Sequence, residues 1–157
     1  MANSGQRRRV LVIGYGNPLR CDDGLGWQVV RQLEAQGLPE GVVVRRVIQL
    51  TPELAAEMGE RDLVLFVDAS QEGEPGEVRI RRVEREPRNE SFTHEDSPAG
   101  LLWLAQRLHG VAPIGWLLTV AGERFEWGES LSPAVRASLP RVLESVGRLI
   151  SGEESAG

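Results

Sequence analysis

Three side chains in this chain combine the type and setting needed for chemistry: the carboxylates of Asp23 and Asp68 and the imidazole of His94. Asp23 lies in the loop that follows the apolar run Val10-Leu11-Val12-Ile13. Asp68 directly follows a second apolar run, Leu63-Val64-Leu65-Phe66-Val67. In an open α/β sheet, ligands bind beyond the carboxyl ends of the strands, so parallel pairing of these runs would bring both acids to one edge. Two carboxylates and one imidazole then make a three-ligand site for a divalent cation, with room left for water or a substrate ligand. Nitrogen and oxygen donors suit zinc and nickel alike. Spacing alone also allows plainer readings: an Asp at a strand end often serves a turn or helix cap, and a lone His in a polar loop is often only solvated.

The elements that must position these groups can be read from local signals. The runs at 10–13 and 63–67 are continuous and apolar, as buried parallel strands are. Residues 42–50 are β-branched and partly alternating, which predicts a second strand between them. Residues 25–34 place Val29, Val30 and Leu33 on one helical face, with Gly37 as the stop. Thr51-Pro52, Ser97-Pro98 and Ser132-Pro133 each pair a hydroxyl N-cap with a proline at the first helical position. They predict helices over 53–59, 99–109 and 134–150. Residues 77–83 alternate apolar and charged side chains, as an edge strand does, and should pair antiparallel with the preceding strand. Residues 114–120 form the last strand.

The result is a three-layer α/β sandwich: a twisted, mostly parallel five-stranded sheet with one antiparallel strand and helices on both faces. A right-handed crossover into the last strand requires the helix after Pro98 to start at the carboxyl edge. Residues 84–96 must then climb back along the sheet, which carries His94 toward Asp23 and Asp68.

The 157 residues suit a single domain, with a core over about 10–150. With 41% hydrophobic and 26% charged residues the chain is not disordered overall. A net charge of -5 argues against nucleic-acid binding. The basic run Arg7-Arg8-Arg9 reads as a solvated N-terminal flank. The apolar run after it is too short for a signal peptide, and no stretch is long enough to span a membrane. A single cysteine, Cys21, excludes an internal disulfide and suits the cytoplasm. A monomer is expected.

Several motifs fail. Gly14-Tyr15-Gly16-Asn17-Pro18-Leu19 opens like a dinucleotide fingerprint, but Leu19 replaces the third glycine and Pro18 stiffens the loop. No phosphate loop, His-Glu-x-x-His pair or nucleophile elbow is present. Cys21 lacks the setting of a nucleophile and reads as an inert thiol. His109, at a helix end, suits the helix dipole. Asp22-Asp23-Gly24 with Asp68 could form an aspartic dyad, but the flanking residues lack the Asp-Thr-Gly or Asp-Ser-Gly form.

The stretch Gly14-Tyr15-Gly16-Asn17-Pro18-Leu19-Arg20-Cys21-Asp22-Asp23-Gly24-Leu25-Gly26 resembles the signature loop of the hydrogenase maturation endopeptidases. Val67-Asp68-Ala69, Thr93-His94 with Ser97-Pro98, and Thr51-Pro52-Glu53-Leu54 resemble further segments of that family, over about residues 10–150. The resemblance implies that Asp23, Asp68 and His94 are the metal-contacting and catalytic residues. Some members carry Glu at the Asp23 position. It implies an endopeptidase that removes the C-terminal extension of a hydrogenase large-subunit precursor, sensing nickel already held by that substrate. A non-catalytic nickel-sensing or chaperone module, and a related endopeptidase with a non-hydrogenase substrate, are the competing expectations.

Overall fold

Val10, Leu11, Val12 and Ile13 are all fully buried, because the strand they form is covered on both faces. A computed structural model describes residues 8–88 and 96–153. Among the described residues are five strands, β1 (Val10–Tyr15), β2 (Val42–Val47), β3 (Leu63–Ser70), β4 (Val78–Arg82) and β5 (Ile114–Ala121), and the α-helices α1 (Leu25–Gln36), α2 (Glu53–Met58), α3 (Pro98–His109) and α4 (Pro133–Ser151). The strand order is β2-β1-β3-β5-β4, parallel throughout except for β4.

Alternation along the strands divides the core into two layers. Val10, Val12, Leu63, Leu65, Val67 and Leu118 pack against α1 and α4. Leu11, Ile13, Val64, Phe66 and Leu117 pack against α2 and α3. Burying each such side chain contributes roughly 1.5–3 kcal/mol before the entropy of ordering is subtracted. Because α1 and α2 cover opposite faces, β1 and β3 flank the point where the chain reverses its direction of sheet growth. That is where α/β sheets open a crevice at their carboxyl edge.

The edge strand pairs differently from the expectation. β4 lies antiparallel to β5 and not to β3. The connection from β3 passes over the end of β5, where Gly76 N donates to Ala121 O and Gly122 N to Ser70 O. β5 is apolar enough to be buried on both faces, so it takes the inner position and leaves the arginine-rich β4 outermost.

Other local details depart from the sequence reading. β2 stops at Val47, and β3 runs past Asp68 to Ser70. Ser97 caps α3 by accepting from Gly100 N, as its signal predicts. Thr51 and Ser132 make no such cap. The Thr51 hydroxyl instead bonds the Glu53 carboxylate, lowering its pKa. Arg8 and Arg9 of the basic N-terminal run are not simply solvated. Arg8 Nη1 donates to the carbonyls of Leu149 and Ile150, capping the C-terminal end of α4 with a cation, and Arg9 pairs with Asp62. Among the described residues no helix is long and apolar enough to cross a membrane.

Candidate active site

The loop after β1 is shaped by three glycines that admit close backbone contact. A Cβ on Gly14 would strike Gly26 O, and a Cβ on Gly16 would strike Asp23 O. A Cβ on Gly26 would lie 2.6 Å from Val67 O and 2.8 Å from Tyr15 N. The start of α1 therefore rests directly on the ends of β1 and β3. Asn17 organises the turn between them: its Oδ1 accepts from Leu19 N at 2.9 Å, and its backbone N donates to Asp23 Oδ2 at 2.7 Å. A single 3-10 turn, Cys21–Gly24, then presents Asp23 just before α1.

Asp68 stands on the neighbouring strand. The pairing of β1 with β3 ends at Gly14 and Val67, so Asp68 is the first β3 residue beyond it. Its Oδ1 accepts from Ala69 N at 2.8 Å. The turn bearing Asp23 packs against β3, so both predicted carboxylates stand at the carboxyl edge of adjacent strands. His94 lies outside the described residues. The chain leading to it does turn back as the crossover requires: Glu86 N donates to Ala99 O in the first turn of α3. Arg88 and Asp96, on either side of that segment, form a two-pronged ion pair at 2.6 and 3.4 Å. Among the described residues no three His, Cys, Asp or Glu side chains gather as a metal site.

Asp22 has a role that the sequence reading missed. It is fully buried. Its Oδ2 accepts from Glu123 N at 2.7 Å, Arg124 N at 3.0 Å and Ser132 Oγ at 2.8 Å, and its Oδ1 accepts from Ser132 N at 2.7 Å. Burial pushes the carboxyl pKa up, but these bonds outweigh it and hold the group below the usual Asp value. All four of its bonds come from residues 123–132, so the carboxylate is engaged away from Asp68 and does not form an aspartic dyad with it. Instead it straps residues 122–132 onto the loop that carries Asp23. Further bonds reinforce the strap: Asp22 N to Arg124 O, Cys21 N to Gly128 O and Gly128 N to Leu19 O.

Two other candidates are structural. Cys21 is a buried free thiol held close to Gly128, as expected of an inert group. Its φ of 49° is unusual for a residue with a side chain, and the surrounding bonds hold it there. His109 ends α3, where its Nε2 lies 3.2 Å from Ala55 O and its ring packs on Gly59.

The fold and the two carboxylates at adjacent strand ends define a class of open α/β domain with its candidate site at the carboxyl edge of the sheet. Comparison with known proteins narrows that class. No family model matches the chain. The hydrogenase 2 maturation protease of Escherichia coli (strain K12) is 33% identical over 146 residues, covering 88% of either chain. The solved hydrogenase maturating endopeptidase HybD from E. coli is 32% identical over 92% of this chain and 94% of its own, with a TM-score of 0.69. The [NiFe] hydrogenase maturation protease HycI from Thermococcus kodakarensis KOD1 has a TM-score of 0.73 over 95% and 96%, but at 22% identity it speaks for the fold alone. The chain belongs to the hydrogenase maturation proteases and is an endopeptidase.

Proposed function

We propose that this endopeptidase removes the C-terminal extension of a hydrogenase large-subunit precursor once nickel has been inserted, and that Asp23, Asp68 and His94 contact that nickel. The observation that carries the reading is the seating of Gly26 against Val67 O, which sets the loop of Asp23 on the strand end that bears Asp68. The metal belongs to the substrate. Carboxylate oxygens and an imidazole nitrogen are suitable added ligands for nickel anchored elsewhere, and three such groups hold a free ion only modestly. Contact would then be firm only after insertion is complete, which makes processing a checkpoint. The reaction is placed in the cytoplasm, where a lone thiol such as Cys21 stays reduced, with the enzyme acting as a monomer.

The test compares nickel-free and nickel-loaded precursor, each incubated with metal-stripped enzyme. The expected result is a shortened large subunit from the loaded precursor only. Equal cleavage of both would remove the checkpoint. Activity restored only by zinc added to the enzyme would assign the three residues to a resident ion and its activated water.

A further inference from the structure

The strap at 122–132 carries an indole into solvent. Trp127 is 68% exposed, yet its surroundings are fixed. The following residue, Gly128, is bonded at both N and O to the loop that carries Asp23. The Arg20 guanidinium lies 4.6 Å from the indole centroid, and Arg20 Nε donates to Phe125 O at 3.3 Å. Leu19, next to Arg20, is itself 50% exposed. A cavity of about 210 Å3 opens beside them, walled by Leu19 and Cys21, by Trp27 and Arg31 of α1, and by Glu129 and Leu131.

Folding gains little from an indole left in water, whereas exposed Trp and Arg held in place are the residues that dominate protein interfaces. The position of this group also decides what would cover it. Two successive turn bonds, Arg20 N to Asn17 O and Asp23 N to Arg20 O, fold the loop so tightly that Leu19 and Arg20 stay close to Asp23. The exposed Leu19 and Trp127 therefore belong to the same bonded unit as Asp23, and their surface adjoins the candidate site.

We propose that Trp127, Leu19 and the adjoining cavity are the docking surface for the large-subunit precursor. The cavity, walled by Leu19, Trp27 and Leu131 together with Gln28, Arg31 and Glu129, takes one side chain of the precursor with an apolar stem and a polar end, and the indole stacked on Arg20 packs against the neighbouring substrate surface. This rests on the processing reaction proposed above. In steady-state processing of nickel-loaded precursor, Trp127→Ala and Leu19→Asp should each raise KM roughly tenfold or more while kcat stays within about twofold. Precursor binding is measured separately on the Asp23→Ala protein. Adding Trp127→Ala to it should weaken Kd by a similar factor, with unchanged circular dichroism. Unaltered KM in both variants, with Kd unaltered by Trp127→Ala, would overturn the docking surface. Trp127-dependent binding by a wild-type protein that leaves the precursor uncut would support the surface and reject the processing reaction instead.

Discussion

Ser132 gives Asp22 two hydrogen bonds at once, from its backbone N at 2.7 Å and its hydroxyl at 2.8 Å, across 110 residues of chain. The hydroxyl that should cap α4 is thereby diverted to a buried carboxylate. The contact joins the loop after β1 to the start of the last helix, and the loop holding Asp23 depends on it.

Removing that carboxylate should therefore be expensive. Asp22→Ala leaves four donors facing a buried gap and is expected to cost about 3 kcal/mol or more. Ser132→Ala removes only the hydroxyl bond and should cost about 1–2 kcal/mol. Urea unfolding of the two variants checks the order. Equal losses would mean that the backbone donors contribute nothing.

The same group predicts a dependence on acid. The pKa of Asp22 is lower in the folded chain than in the unfolded one, so its contribution is complete above the unfolded value, about 3.9 for Asp. It fades as pH falls through the folded value. The stability gap between wild type and Asp22→Asn should be constant near neutrality and narrow below about pH 4. A gap that stayed constant down to acid pH would show that ionisation of Asp22 is irrelevant.

Two glycine substitutions should move stability in opposite directions. Gly26→Ala drives a methyl into Val67 O and Tyr15 N, both backbone atoms, and should cost about 2–3 kcal/mol. Gly147 lies in α4, where an added methyl would meet open space, so Gly147→Ala should stabilise by about 0.5–1 kcal/mol. Thermal melts of both variants decide the matter.

Asp23→Ala and His94→Ala should each abolish processing with the fold intact, although Asp23→Ala also takes the acceptor from Asn17 N and should cost about 1 kcal/mol. Asp23→Glu, which keeps the carboxylate on a longer arm, should retain measurable cleavage. Wild-type rates from well-folded Ala variants would remove these residues from the site.

What the sequence disclosed was what local chemistry controls. The apolar runs ending near Ile13 and Val67, the Ser97-Pro98 helix start and the alternation around Ile80 are each determined by a few neighbouring residues, and each element formed. The position of β4 was not legible, because it depends on β5 competing for the inner place. Asp22 was hidden for a similar reason: its partners, Glu123, Arg124 and Ser132, lie more than a hundred residues away. Ser132 carried a genuine cap signal, but Asp22 claimed its hydroxyl. Element order placed Asp23 and Asp68 at strand ends on one edge, while their assignment as site residues rested on the resemblance of the Gly14–Gly26 and Val67–Ala69 segments to the family.

The reach from Asp22 to Ser132 also bears on the timing of synthesis. A ribosome that has delivered β1 and the Asp23 loop has made neither the strap nor α4. Until residues 123–132 emerge, that loop lacks the donors that hold Asp22 in place. The loop that carries Asp23 thus acquires its anchor only after the segment at 123–132 has been made.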